Sequence, residues 1–108
     1  MSAVIVFLTT GSRAEAEKIA RLLVEKRAAA CVQILPEITS VYWWEDKLER
    51  DAEVLLLAKT VTENFAMLEQ IVRANHSYKT PEIVAVKAED ISQDYYQWLV
   101  QNTAERSK

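Results

Sequence analysis

The sequence contains few of the residues that make sharp turns and covalent links. Among its 108 residues there are one glycine, two prolines, one cysteine and one histidine. Because Gly11 is the only glycine, the chain has no glycine-rich loop that could cradle a phosphate. The single cysteine, Cys31, excludes a disulfide within the chain. Chains without disulfides are typical of reducing compartments, so we expect the protein in the cytoplasm.

The composition also lacks an excess of basic residues. Lysine and arginine number 13 against 16 aspartates and glutamates, which gives a net charge of −3 and a pI of about 5.2. Nucleic acids and anionic membranes attract basic surfaces, so we expect neither as a partner. The apolar run at 3–8 follows no basic segment, is too short to span a bilayer and has no cleavage pattern.

Half of the chain is hydrophobic, which is enough for one domain over residues 1–108. Apolar spacing and capping patterns divide this domain into strands and helices. In chain order we expect a strand at 3–9, a helix at 13–27 capped by Ser12 and Glu15, a hairpin at 28–60 that turns at Glu45-Asp46, a helix capped by Thr60 and Glu63 that ends near Asn75, a strand at 82–88, and a helix capped by Asp90 and Gln93.

The order of these elements predicts an α+β, ferredoxin-like βαββαβ fold with an extra C-terminal helix. Right-handed crossovers fold this order into a four-stranded antiparallel sheet with both long helices on one face. The first and third strands would be central, in agreement with their unbroken apolar runs, VIVFL and VLLLA. Pro36 would lie in an edge strand, where a missing N–H is tolerated.

The long hairpin between the second and third strands needs a bend or a projection, since its first arm would reach about 50 Å if straight. Pro36 is the expected bend. Strict alternation places one set of first-arm residues on a single face: Val32, Ile34, Ile38, Tyr42 and Trp44. The last helix would place another set on its inner face: Ile91, Tyr95, Trp98 and Leu99.

The first strand is apolar on both of its faces. Val4, Val6 and Leu8 have one parity, and Ile5 and Phe7 have the other. Helices cover one face of such a sheet, and several apolar side chains would not stay exposed on the second face. We therefore expect other copies of the chain to cover that face.

Several blocks of sequence occur in the order known from one family. They are Ala30-Cys31-Val32, Ser40-Val41-Tyr42-Trp43-Trp44-Glu45, Glu53-Val54 with Lys59-Thr60, His76-Ser77-Tyr78-Lys79-Thr80-Pro81-Glu82-Ile83, and Tyr96-Gln97-Trp98-Leu99. With these blocks the chain resembles the CutA family of divalent-cation tolerance proteins over nearly its whole length. The resemblance implies a ferredoxin-like homotrimer with clasping hairpins, associated with copper tolerance and binding of divalent metal. Asp46, Ser77 and Lys79 depart from the residues common in that family.

The resemblance implies three candidate metal ligands, Cys31, His76 and Glu82. A thiolate, an imidazole and a carboxylate together suit copper or zinc better than magnesium or calcium. No closely spaced ligand pair is present, so the three could meet only through folding, including folding across subunits. Each has a structural alternative: a small buried hydrophobe for Cys31, a contact with helix-terminal carbonyls for His76, and a strand-start carboxylate or a salt bridge between subunits for Glu82.

The sequence offers no nucleophile paired with a base, and a lone histidine is poor material for acid–base catalysis. We therefore expect no enzyme, but a homotrimer that weakly binds a divalent transition metal, copper with zinc as the alternative, and takes part in metal tolerance. Two alternatives remain open. One is a small-molecule sensor like the trimeric PII proteins, and the other is a structural trimer that organises partner proteins.

Overall fold

Four strands and three α-helices follow one another in the computed structural model, which describes residues 2–103. They are β1 (Ala3–Thr10), α1 (Arg13–Glu25), β2 (Cys31–Trp44), β3 (Lys47–Val61), α2 (Phe65–Asn75, after a 3₁₀ turn at Thr62–Asn64), β4 (Ile83–Lys87) and α3 (Gln93–Gln101). The strands form one antiparallel sheet in the order β2-β3-β1-β4. The predicted ferredoxin-like fold is confirmed, with β1 and β3 at the centre and the strand carrying Pro36 at an edge.

The main core lies between the sheet and the two long helices. One face of the central strands is almost completely buried there, and the helices contribute the opposing apolar side chains. The fully buried large residues of this layer are Val6 and Leu8 of β1, Ile19 and Leu23 of α1, Leu56 of β3, and Leu68 and Val72 of α2. None of the helices within residues 2–103 has the length and apolar character needed to cross a membrane.

Helix α1 begins as predicted and ends two residues early. The Ser12 side chain accepts a hydrogen bond from the Glu15 backbone N–H at 3.2 Å. At the other end, Arg27 has φ of 60°, a left-handed conformation, and the Ala28 N–H bonds the Leu23 carbonyl at 2.9 Å. This is a Schellman motif with arginine where glycine is usual, so Arg27 lies outside the helix.

The predicted caps of the other two helices are wrong. Thr60 is the buried penultimate residue of β3, and its hydroxyl donates to the Ala28 carbonyl at 2.7 Å. Helix α2 begins after the 3₁₀ turn instead. Ser92 caps α3 by accepting from the Tyr95 N–H. The predicted inner face of α3 is confirmed in part: Leu99 is buried and Tyr95 lies against Lys59 of the sheet, whereas Ile91 precedes the helix and Trp98 is 42% exposed.

The hairpin turns at Glu45-Asp46, and both residues have positive φ, 50° and 65°. Two such residues form the tight turn whose twist suits a two-residue hairpin. Pro36 and Glu37 lie opposite the single residue Val54, because the register jumps between Leu35 and Ile38. The bend expected at Pro36 is therefore a β-bulge.

The bulge overturns the predicted alternation along β2. Ile34 pairs with Leu56 on the helix-covered face, whereas Ile38 pairs with Glu53, which has the opposite parity in β3. One extra residue moves every following side chain to the other face of the sheet. Ile38, Tyr42 and Trp44 thus share a face with Glu53 and not with Ile34.

The second face of the sheet carries apolar residues without a helical layer over most of it, and we call it the open face. Its apolar members in the body of the sheet are Ile5, Phe7, Leu35, Leu55, Leu57, Val84 and Val86, assigned by strand register. The same register places Glu53 and the hairpin residues that share its face on the continuation of the open face. Val84 and Val86 of edge strand β4 are 51% and 49% exposed. At one end α3 adds Leu99 beside Ala30 and Val61. The two-sided apolar character predicted for β1 is confirmed.

Candidate functional site

A cleft of about 690 Å³ lies between the hairpin and the segment that joins α2 to β4. It combines carboxylates, hydroxyl groups and aromatic rings with one ammonium group. The lining residues are Thr9, Ser40, Val41, Tyr42, Trp44, Asp51, Glu53, Tyr78, Lys79, Thr80 and Glu82.

The register of the hairpin assembles the polar wall of this cleft. Ser40 pairs directly with Asp51, so Glu53 is its diagonal neighbour two residues along. Tyr42 is placed in the same way beside Asp51, and its hydroxyl donates to that carboxylate. Because the β2 bulge precedes Ser40, it is the bulge that puts Ser40 and Tyr42 on the face of the two acids.

Glu53 is the most deeply buried acid of the cleft, with 8% of its surface exposed. Ser40 Oγ donates to one carboxylate oxygen at 2.6 Å, and Tyr78 Oη donates to the other at 2.8 Å. Partial burial, followed by the hydrogen bond to Glu53, raises the pKa of Tyr78 above its ordinary value of 10.0. The hydrogen bond to Asp51 raises the pKa of Tyr42 to about 12.

The only glycine makes room for the Tyr78 ring. A Cβ added at Gly11 would lie 3.1 Å from the Tyr78 hydroxyl oxygen. That approach is tighter than ordinary van der Waals contact, so alanine at this position would press on the group that holds Glu53.

His76 anchors the segment that carries Tyr78. Its side chain is 1% exposed, and Nε2 lies 2.7 Å from the Thr9 carbonyl oxygen. Because a carbonyl oxygen can only accept, Nε2 carries the proton. Nδ1 is then the acceptor for the Tyr78 backbone N–H at 3.0 Å. Both ring nitrogens are engaged within the chain, and neither bonds the terminal carbonyls of α2.

Glu15 holds the same segment from the side of α1. Its carboxylate accepts from the Ser77 backbone N–H at 2.6 Å and from the Ser77 hydroxyl at 3.0 Å. One of its oxygens lies 3.8 Å from His76 Nδ1. The carboxylate that was expected to complete the capping box of α1 instead bonds Ser77, so only the Ser12 half of that box is confirmed.

Glu82 stands at the margin of the cleft, directly before β4. Partial burial, and secondarily the charge of Glu53, raise the pKa of Glu82 above 4.5. A carboxyl whose pKa is raised by folding favours the folded state when it is protonated, and this contribution is lost as the pH rises through its folded pKa.

We therefore expect Glu82→Gln to raise the melting temperature slightly at pH 7, because it removes a charge that folding disfavours. The gain should vanish below pH 4.5, where the wild-type carboxyl is itself neutral. Thermal melts of both proteins at several pH values would check this. A gain that is independent of pH would contradict the electrostatic explanation.

The three predicted metal ligands do not meet within one chain. His76 and Glu82 lie at the end of the sheet marked by Thr9, since His76 bonds the Thr9 carbonyl and Ile83 pairs with Leu8. Cys31 begins β2 opposite Lys59, whereas Thr9 lies opposite Leu55, four residues along β3. At about 3.3 Å per residue these positions are roughly 13 Å apart.

The surroundings of Cys31 differ from those of the cleft. Partial burial, together with the nearby Cys31 thiol, raises the pKa of Tyr95 in α3. The Lys59 ammonium lies 5.7 Å from the centre of the Tyr95 ring. Between residues 2 and 103 no group of three or more histidine, cysteine, aspartate or glutamate side chains could hold a metal ion. A site shared between subunits therefore stays a prediction.

Sequence reasoning missed Glu53 and Tyr78, although both lie in the blocks that resemble the CutA family. The alternation of Asp51 with Glu53 was a visible signal that the two acids share one face of a strand. The hydroxyl partners gave no such signal, because the bulge decides where Ser40 points and the fold of 76–82 decides where Tyr78 lies.

The sheet order, the two helices on one face and the additional helix α3 define a ferredoxin-like α+β protein. Within that class the chain belongs to the CutA1 divalent ion tolerance protein family, whose model matches residues 4–102. The resemblance inferred from the sequence blocks is confirmed.

Relatives from distant organisms support this assignment. The divalent-cation tolerance protein CutA of Thermus thermophilus is 44% identical over 99 residues, which cover 92% of this chain and 96% of that protein. Its solved structure superposes with a TM-score of 0.92 at 43% identity and covers 94% of this chain and 99% of that one. The structure of CutA1 from Oryza sativa has a TM-score of 0.94 at 36% identity and covers 97% of this chain and 96% of that one.

Relatives differ in length. Protein CutA of Homo sapiens is 42% identical over 97 residues, which cover 90% of this chain and 54% of that protein. The chain therefore spans about half the length of the human relative and nearly all of the bacterial one. A rice relative carries the name Protein CutA 1, chloroplastic, whereas the solved structure from Archaeoglobus fulgidus is named a periplasmic divalent cation tolerance protein.

Proposed function

We propose that this protein is a cytoplasmic homotrimer without enzymatic activity that takes part in divalent-cation tolerance by binding a divalent transition metal, copper or zinc, weakly. The family description and the name of the Thermus relative both refer to divalent-cation tolerance. The single cysteine favours the cytoplasm.

The observation that carries this proposal is the open face of the sheet. It exposes Val84 and Val86 to about half their surface beside the partly buried Ile5 and Phe7. Burying one such side chain contributes about 1.5–3 kcal/mol, which favours covering the face with further copies of the chain.

A metal site at the three candidate residues would require assembly, because one chain does not bring them together. Cys31 lies roughly 13 Å along the sheet from the end that holds His76 and Glu82, so a thiolate from one subunit would have to join a carboxylate or imidazole from another. His76 would have to release the Thr9 carbonyl or the Tyr78 N–H before it could serve as a ligand. That competition agrees with weak binding.

Calorimetric titration of Zn²⁺ and Cu²⁺ into the reduced, metal-free protein tests the metal part of the proposal. We expect about one ion to bind per chain. Each of the substitutions Cys31→Ser, His76→Ala and Glu82→Gln should weaken this binding. Glu37→Gln, which changes one exposed carboxylate of the hairpin outside the cleft, serves as the matched control.

Two outcomes would contradict metal binding at these residues. One is the absence of any binding to the intact assembly, and the other is binding that survives all three ligand substitutions. Circular dichroism of each variant would separate a lost ligand from a lost fold.

A second candidate function is a small-molecule sensor like the trimeric PII proteins. The cleft is the observation that favours it, because about 690 Å³ is within the size range of small-molecule sites. Aromatic rings, hydroxyls and a few placed charges are also the typical lining of such sites.

A further inference from the structure

We propose that the cleft between the hairpin and residues 76–82 binds a small organic cation that carries an ammonium or guanidinium group. This inference rests on the second candidate function, the small-molecule sensor, and names the class of ligand that such a sensor would recognise. It does not depend on metal binding at Cys31, His76 and Glu82.

Glu53 is the buried carboxylate to which we expect the cation to bind. Only 8% of its surface is exposed, yet within the described residues of one chain its hydrogen-bond partners are two neutral hydroxyl groups, those of Ser40 and Tyr78. Buried carboxylates are normally paired with a cation. A carboxylate has about four acceptor sites, so two remain for a further donor.

The other charged residues of the cleft also favour a positively charged ligand. Asp51 and Glu82 add two carboxylates, against the single ammonium of Lys79 among the lining residues. Phosphate-bearing ligands such as nucleotides would face three acids, and the single glycine leaves no loop of backbone N–H groups to receive a phosphate. An anion is therefore disfavoured on both counts.

The size and lining of the cleft favour an organic cation over a metal ion. One water molecule accounts for about 30 Å³ of liquid, so a bare ion would leave most of the cleft unfilled. The acids of the cleft also do not form a group that could hold a metal ion, judged over residues 2–103. Tyr42 and Trp44 present aromatic rings, which attract ammonium and guanidinium groups.

The hydroxyl groups explain how the site is preorganised. Tyr78 holds one oxygen of Glu53 and Ser40 holds the other, while Tyr42 holds Asp51. These bonds fix the acids against the β-hairpin, so little side-chain freedom is lost when a cation binds. His76 and Glu15 in turn hold the segment that carries Tyr78.

Calorimetric titration of spermidine and agmatine into the full-length protein, reduced and treated with EDTA, tests this proposal. 1,4-Butanediol serves as an uncharged control ligand, ATP as an anion and Zn²⁺ as a metal. We expect binding of the two organic cations that weakens with added salt, and no binding of butanediol or ATP.

Four variants locate the site. Glu53→Gln and Glu82→Gln should each weaken spermidine binding by about tenfold, since a charge-assisted hydrogen bond is lost. Glu37→Gln, a matched exposed carboxylate outside the cleft, should leave it unchanged. Lys79→Ala should tighten binding several-fold because it removes the opposing ammonium, an effect that loss of folding cannot produce.

The outcomes separate this inference from the metal proposal. Failure of the wild-type protein to bind either organic cation would overturn it, as would equal weakening by Glu37→Gln or weaker binding by Lys79→Ala. Binding of Zn²⁺ alone, sensitive to Cys31→Ser, would overturn it while supporting the metal site. If Glu53→Gln fails to fold, Glu82→Gln and Lys79→Ala still decide the result.

Discussion

Replacing Val86 with glutamate is expected to separate the proposed homotrimer into single 12.3 kDa chains. Val86 lies on the open face of β4 and is 49% exposed in one chain. In a monomer the substitution is close to neutral, within about 0.5 kcal/mol, because the new carboxylate reaches water. In an assembly that covers this face, an unpaired charge would be buried at a cost of several kcal/mol.

Val24→Glu is the matched control for this experiment. Val24 is also an apolar residue of comparable exposure, 41%, but it lies on α1, on the helical side of the sheet. Light scattering at micromolar concentration should show a trimer for the wild type and Val24→Glu and a monomer for Val86→Glu. A monomeric wild type would refute the trimer, and a trimeric Val86→Glu would remove β4 from the interface.

Replacing His76 with alanine is expected to lower the free energy of unfolding of the metal-free protein by about 2–4 kcal/mol. The substitution leaves the Thr9 carbonyl and the Tyr78 N–H without their partner in a place where the side chain is 1% exposed. Each buried polar group left unpaired costs about 1–3 kcal/mol.

Chemical unfolding in EDTA, at equal protein concentrations, distinguishes this structural role from a metal role. If His76 acted chiefly through a bound metal, the chelator would remove its contribution and the variant would match the wild type. His76→Gln offers one amide donor and one acceptor, so it should recover part of the loss. Equal stability of wild type and His76→Ala in EDTA would contradict an anchoring role for His76.

Local sequence patterns were sufficient for the order of elements and for the choice of central strands. The unbroken apolar runs of β1 and β3 require a strand on either side of each, which places both strands at the centre of the sheet. The pattern of Ser12 with Glu15 marks the start of α1. The caps of α2 and α3 were mispredicted because Thr60 and Asp90 have the right residue types for a cap. In the folded chain neither residue caps its helix, and the Thr60 hydroxyl instead donates a buried hydrogen bond to the Ala28 carbonyl.

The candidate site was less predictable than the fold. Glu82 was identified as a site residue, and it does line the cleft, although the resemblance suggested a metal ligand and the lining favours a wider acidic site. Glu53 was not singled out, because an acid in a strand signals a solvent-exposed position unless its partners are known. Those partners, Ser40 and Tyr78, are 13 and 25 positions away in the chain.

The sequence by itself determined the ferredoxin-like order, the two-residue turn at Glu45-Asp46 and the apolar character of both faces of β1, from which further subunits are predicted. These follow from periodicity and composition, which act over a few residues at a time. Only the tertiary structure decided which residues form the cleft. The bulge at Pro36 adds one residue to β2 and so moves Ser40 and Tyr42 onto the face of Asp51 and Glu53. Strand alternation has a period of two, so a single inserted residue reverses the facing of everything that follows.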